Sequence, residues 1–180
     1  MVTSRLFCVA RYNADGSLDT SFDGDGSVVT AVGAGNNFGI SIALQPDGKI
    51  VVGGQCSNGS NVDFCVARYL SSGALDTTFS GDSLVITPVG SGDDYGNAVA
   101  VQSDGKIVLA GTCNVAGNFD FCVVRYLSDG TLDTAFSGDG IEITPVGAGS
   151  DDVAGAVIQP DGKIVVVGGC SGTTSDFCLV

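Results

Sequence analysis

The sequence predicts an all-β protein, a β-propeller-like array of four-stranded antiparallel blades with about three repeats of 57 residues. Three observations predict it. A six-residue string recurs at a fixed step along the chain. Apolar runs of strand length alternate with turns rich in Gly, Asp and Asn. No segment shows the three-and-four apolar spacing of an amphipathic helix.

The recurring string is Phe7-Cys8-Val9-Ala10-Arg11-Tyr12. It returns as Phe64-Cys65-Val66-Ala67-Arg68-Tyr69 and as Phe121-Cys122-Val123-Val124-Arg125-Tyr126, and Phe177-Cys178 opens a further copy. From 7 to 64, 121 and 177 the steps are 57, 57 and 56 residues. Asp47-Gly48-Lys49-Ile50 and Leu18-Asp19-Thr20 recur at the same step, so residues 1–180 read as one repeat domain. Its units are 7–63, 64–120 and 121–176, with 177–180 starting another.

One period, taken in order, gives the elements. Leu84–Val89 is apolar and β-rich, Gly90–Gly96 is a polar loop, and Asn97–Gln102 is a second apolar run. Ser103-Asp104-Gly105 is a hairpin turn, because Asp-Gly accepts the positive φ such turns need. Lys106–Cys113 is a third strand, Asn114–Asn118 a turn, Asp120–Tyr126 a fourth strand, and Leu127–Gly140 the crossing to the next unit. On this reading Val28–Val32, Leu84–Val89 and Ile141–Val146 are innermost strands, each followed by three strands moving outward. Ile107, Val108, Leu109 and Ala110 make the third strand apolar on both faces, as expected for a sheet sandwiched between sheets. A β-solenoid is the alternative; its coils are usually shorter and rarely need two such hairpins per repeat.

Composition bounds the chemistry. Hydrophobic residues make up 44% of the chain and charged residues 15%, with 28 glycines, which suits short strands joined by tight turns. There is no histidine, which removes the usual general base and the commonest metal ligand. The net charge is −13, and Glu142 is the single Glu among 20 acidic residues. Such a surface repels phosphate backbones, so nucleic acid is not expected as a partner. No apolar run is long enough to cross a membrane as a helix, and Met1–Arg5 carries no apolar signal core.

Phe-x-Val-Ala-Arg-Tyr, then Asp-Gly-x-Leu-Asp-Thr-x-Phe, then Gln-Pro-Asp-Gly-Lys-Ile-Val-Val-x-Gly resembles the delta-60 repeat. These motifs occupy Phe7–Tyr12, Asp15–Phe22 and Gln45–Gly54, then Phe64–Phe79 with Gln102–Gly111, then Phe121–Phe136 with Gln159–Gly168. The match departs where Ser103 replaces the turn proline and where Cys enters two strands of each repeat. The resemblance implies a propeller-like tandem scaffold of the kind found in bacterial surface and secreted proteins. It transfers no catalytic residue.

The cysteines form the sharpest chemical pattern. Cys56 and Cys65, Cys113 and Cys122, and Cys170 and Cys178 each flank the same hairpin, one ending the third strand and one early in the fourth. Cross-strand neighbours are close enough for disulfides, which predict an oxidising compartment: extracellular, cell-surface or periplasmic. Small buried hydrophobes are the plainer alternative. Cys8 has no hairpin partner and is expected to be unpaired or intermolecular. Arg11, Arg68 and Arg125 precede Asp19, Asp76 and Asp133 by eight residues and are expected to form structural ion pairs. Asp23 and Asp25 alternate like a calcium loop but lack its closing Glu, so they are weak cation candidates, and no other metal or cofactor is expected. Asp93-Asp94 and Asp151-Asp152 are adjacent loop carboxylates, while a glycosidase needs two facing each other across a cleft. Asn58-Gly59-Ser60 fits a glycosylation acceptor.

The expected function is therefore a non-enzymatic extracellular or cell-surface repeat scaffold, structural or ligand-binding. The alternatives are a hydrolase using Asp carboxylates at the propeller mouth and a calcium-stabilised adhesin. Three blades do not close a ring, so the expected partners are further repeats or another copy of the chain.

Overall fold

The computed structural model describes residues 5–32, 35–172 and 175–180. Within them the chain is antiparallel β throughout, in four sheets. The first sheet pairs β1 (Phe7–Ala10) with β2 (Ser27–Thr30). The second runs in order through β3 (Asn37–Leu44), β4 (Ile50–Ser57), β5 (Val62–Tyr69) and β6 (Leu84–Thr87). The third repeats this with β7 (Asp94–Val101), β8 (Ile107–Val115), β9 (Asn118–Tyr126) and β10 (Ile141–Thr144). The fourth holds β11 (Asp151–Ile158), β12 (Ile164–Ser171) and β13 (Ser175–Leu179).

The four-stranded antiparallel unit is present, but its phase differs from the expected one. Leu84–Thr87 is not the innermost strand of the sheet that follows; it pairs with β5 as the last strand of the sheet before, with Phe64 opposite Thr87. Ser27–Thr30 and Ile141–Thr144 do the same beside β1 and β9. The reason lies in the connection Leu70–Ser83, which folds back on its own strand instead of crossing. The Asp76 amide donates to the Arg68 carbonyl, the Arg68 amide donates to the Ser83 carbonyl, and Tyr69 bridges Leu75. Leu127–Gly140 is built alike, so the true crossing is the short loop after each fourth strand.

Turn chemistry sets the hairpins. Gly48, Gly105 and Gly162 have φ of 83°, 85° and 86°, and the Asp before each accepts the amide of the Lys after it. β3, β7 and β11 each carry a bulge opposite a glycine of the next strand. A Cβ at Gly54, Gly111 or Gly168 would overlap the carbonyl oxygen of Phe38, Tyr95 or Asp152, so the bulge requires glycine there.

The sheets stack face to face. Between the second and third, Val51, Phe64 and Val66 meet Val99, Ile107, Leu109 and Val124. Phe64, Leu109 and Val66 are fully buried, each contributing about 1.5–3 kcal/mol of hydrophobic stabilisation. β3 packs on β7 and β7 on β11, whereas β6 and β10 make their main contacts only with the strand they pair with. The first strands of successive sheets therefore converge on one side, as in the inner strands of a propeller. The described sheets do not close a ring.

Candidate functional site

The chemistry-bearing side chains gather where one repeat meets the next. Arg11 and Asp19, Arg68 and Asp76, and Arg125 and Asp133 approach through Nε and Oδ2 at 2.8 Å in all three copies. Each guanidinium also lies over a ring, Phe22, Phe79 or Phe136, 4.6–4.8 Å from its centre. Arg11 and Arg68 then reach forward, donating to the Ser71 and Ser128 carbonyls of the following repeat. The Asp-Gly-Lys turn adds a third member that the motif reading missed: Lys49 approaches Asp76 at 3.3 Å and Lys106 approaches Asp133 at 3.5 Å. The separation of 27 residues between Lys and Asp, the same in both copies, was the available signal.

These partners set the titration of the acid. Burial alone would raise Asp76, but the Thr78 hydroxyl and amide, Arg68 and Lys49 outweigh it and hold the carboxyl at about 2. In Asp19 the Ser21 hydroxyl and amide lead in lowering the value, with Arg11 adding to them.

Three bridges join Cys56 to Cys65, Cys113 to Cys122 and Cys170 to Cys178, with Cα atoms 5.7–5.9 Å apart. They run diagonally across the ladder. Cys56 lies opposite Asp63 and Cys65 opposite Gly54, and the other two pairs keep this register. Cys8 is a free, exposed thiol.

Asp and Asn side chains staple the crossing loops. Asp94 is buried and takes the amides of Val89, Gly90 and Asn114, and Asp151 takes those of Val146 and Gly147. Asn37 occupies the same position in the first repeat and accepts the Ser57 amide. Asp93 accepts the Val62 amide, and Asn61 donates to the Gly92 carbonyl. The neighbouring Asp63 is raised by burial above all, and by Asp94 and Asp93, while Asn58 and Asn61 pull the other way. Asp93-Asp94 and Asp151-Asp152 thus split between a buried anchor and its neighbour. Asn58 of the glycosylation sequon donates to Asp63 and Asn61.

Of the cation candidates, Asp25 accepts the amide and hydroxyl of Ser27, and Asp23 adopts φ of 53° and donates its amide to the Ser72 carbonyl. Among the described residues no three Cys, Asp or Glu side chains converge as a cation-binding set. Tyrosine hydroxyls tie sheet to sheet: Tyr69 donates to Thr30, and Tyr126 shares a 2.7 Å hydrogen bond with Thr87. Burial raises both phenols.

The same repeated units decide the family. The profile of the DUF5122 β-propeller domain, a domain of unknown function, matches residues 3–22, 45–79, 102–136 and 159–180. The chain belongs to this family. The two longer DUF5122 segments, 45–79 and 102–136, carry the full set of Lys, Arg, Asp and Phe described above, while 3–22 holds Arg11, Asp19 and Phe22 and 159–180 holds Lys163, so the profile follows the framework that joins the sheets. A search of curated proteins gives no match. Among the described residues no helix is long and apolar enough to cross a membrane.

Proposed function

We propose that the chain is an extracellular or cell-surface scaffold of the delta-60 kind, without catalysis of its own, that presents loops to ligands or partner proteins. One observation carries this reading. The reactive side chains, the Arg-Asp-Lys sets and the cysteine pairs, recur in successive repeats in the same structural roles. A catalytic site is a single asymmetric constellation, whereas a framework repeats its parts. Disulfides that persist fit an oxidising compartment.

The test is made on protein purified from the cells that produce it, alkylated in denaturant without reduction. Mass spectrometry is expected to show Cys56, Cys65, Cys113, Cys122, Cys170 and Cys178 protected as bridges. Alkylation of all six without reductant would overturn the extracellular placement.

A further inference from the structure

The hairpin turns of the third and fourth sheets stand on either side of a cleft of about 460 Å³, a size usual for small-ligand sites. Gln102, Ser103 and Asp104 form one wall, and Ile158, Pro160 and Asp161 the other. Both walls are complete hairpins, β7 to β8 and β11 to β12.

Gln102 lies across the floor. It is 8% exposed, and its Nε2 reaches over the cleft to donate to the Gly162 carbonyl at 3.1 Å. Its Oε1 is buried and accepts no hydrogen bond. A buried amide oxygen without a donor costs about 1–3 kcal/mol, and folded proteins seldom keep one unless something else supplies the donor. Gln45, one repeat earlier, has the same unpartnered oxygen, so the feature belongs to the repeat. The residue after it does not. Pro46 and Pro160 follow Gln45 and Gln159, but Ser103 follows Gln102. Serine makes this wall lower than a proline ring would and puts an exposed hydroxyl beside the amide.

The chemistry of the walls selects among ligands. Their backbone is already paired: the Gln102 and Gln159 amides donate to the Lys106 and Lys163 carbonyls, and the Gly105 and Gly162 amides donate to Gln102 and Gln159. A peptide strand therefore finds no ladder to join. The carboxylates are already paired as charges, Asp104 with Lys106 at 3.2 Å and Asp161 with Lys163. An added cation gains little beside them. Both carboxylates still have lone pairs after accepting a lysine amide and ammonium. The cleft thus offers acceptors on Gln102, Asp104 and Asp161, a hydroxyl on Ser103 that donates or accepts, and an apolar edge of Ile158 and Pro160. Adjacent hydroxyls on a ring with a C–H face match this set.

We propose that the cleft between the Ser103 and Pro160 turns binds a neutral saccharide. One sugar hydroxyl donates to the Gln102 amide oxygen at the floor, its neighbours bond Ser103 and Asp104, and the C–H face of the ring rests on Pro160 and Ile158. This deepens the scaffold reading by naming the ligand class and rests on it, yet failure to bind sugar would leave the disulfide test of that reading untouched.

The experiment titrates the isotope-labelled 180-residue chain with millimolar maltotriose, cellotriose and triacetylchitotriose in turn, read by amide nuclear magnetic resonance. At least one sugar is expected to give saturating shifts of the Gln102 side-chain amide and of the Gly105 and Gly162 backbone amides. Ser103→Pro installs the residue that the other two turns carry, so the hairpin should keep its fold. It should weaken the sugar about three- to tenfold, the loss of one hydrogen bond. Ser103→Ala gives the same comparison if the proline disturbs amides beyond the turn. Trilysine is the control and should leave the cleft unshifted. The proposal is overturned if no sugar gives saturating shifts, if the shifts fall on residues 58–61 and 88–93 instead, or if both variants bind as tightly as the parent. Shifts from trilysine without shifts from the sugars would make the cleft a cation site and overturn it equally.

Discussion

The Arg11–Asp19 and Arg68–Asp76 pairs share a motif, a separation of eight residues and a 2.8 Å contact, yet they live in different media. Side-chain exposures are 34% and 25% for the first pair and 4% and 3% for the second. Sequence sets the pair, and the neighbouring sheet sets its dielectric. The third sheet and the Lys49 turn cover Asp76, whereas the first sheet lacks the preceding lysine turn. An exposed ion pair contributes little, while breaking a buried one strands a charge.

The largest effect should follow from breaking that comparison directly. Arg68→Ala leaves the buried Asp76 carboxylate with Lys49 as its one cationic partner beside the Thr78 hydrogen bonds, and also removes the stack on Phe79. Chemical denaturation should show a loss of about 3–5 kcal/mol. Arg11→Ala should lose no more than about a third of that. Equal losses would mean that the first sheet is as well covered in solution as the second.

The cysteine bridges sharpen the same contrast. Cys56, Cys65, Cys113 and Cys122 are fully buried, whereas Cys178 is half-buried on a strand whose other face is open. Removing Cys113–Cys122 by double Ser substitution should cost roughly 2–3 kcal/mol in the loop-entropy account. Under native conditions dithiothreitol should open Cys170–Cys178 first, because exchange needs access to sulfur. Timed alkylation and mass spectrometry check the order, and simultaneous loss of all three bridges would contradict it.

Much of this framework was legible in the sequence, because a fixed step exposes residues that recur from repeat to repeat. Asp-Gly turns marked the hairpins, and the spacing of Arg to Asp and of Cys to Cys marked contacts that the structure also makes. The phase of the sheets was not legible. Leu84–Thr87 is equally apolar whether it follows β5 or precedes β7, and the decision rests on backbone bonds such as Arg68 amide to Ser83 carbonyl, which no side chain reports. The role of Asp94 was hidden for a related reason. A carboxylate that caps backbone amides reads in sequence as one more turn aspartate, and Asn37 does the corresponding work in the first repeat.

The smallest effect concerns acid, and it again sets two carboxylates against each other. Asp76 is held at about 2, below its ordinary 3.8, so it stabilises the fold above the ordinary value and loses that contribution as pH falls from about 4 towards 2. Asp63 is raised by burial and by the charges of Asp94 and Asp93, so its charged form works against the fold at neutral pH. That penalty lifts as pH falls through its raised value, before Asp76 begins to titrate. The two signs together predict a stability maximum at mildly acidic pH, followed by a decline towards pH 2. Thermal melting from pH 7 to 2 is the measurement. Asp63→Asn, which keeps an acceptor oxygen for one of Asn58 and Asn61 and gives up the hydrogen bond from the other, should remove the rise and leave the decline. Asp76→Asn should lower stability at neutral pH and flatten the decline. A wild-type profile that falls steadily from pH 7 would show that the charged form of Asp63 carries no penalty, and that the loop linking the second and third sheets tolerates its three neighbouring carboxylates.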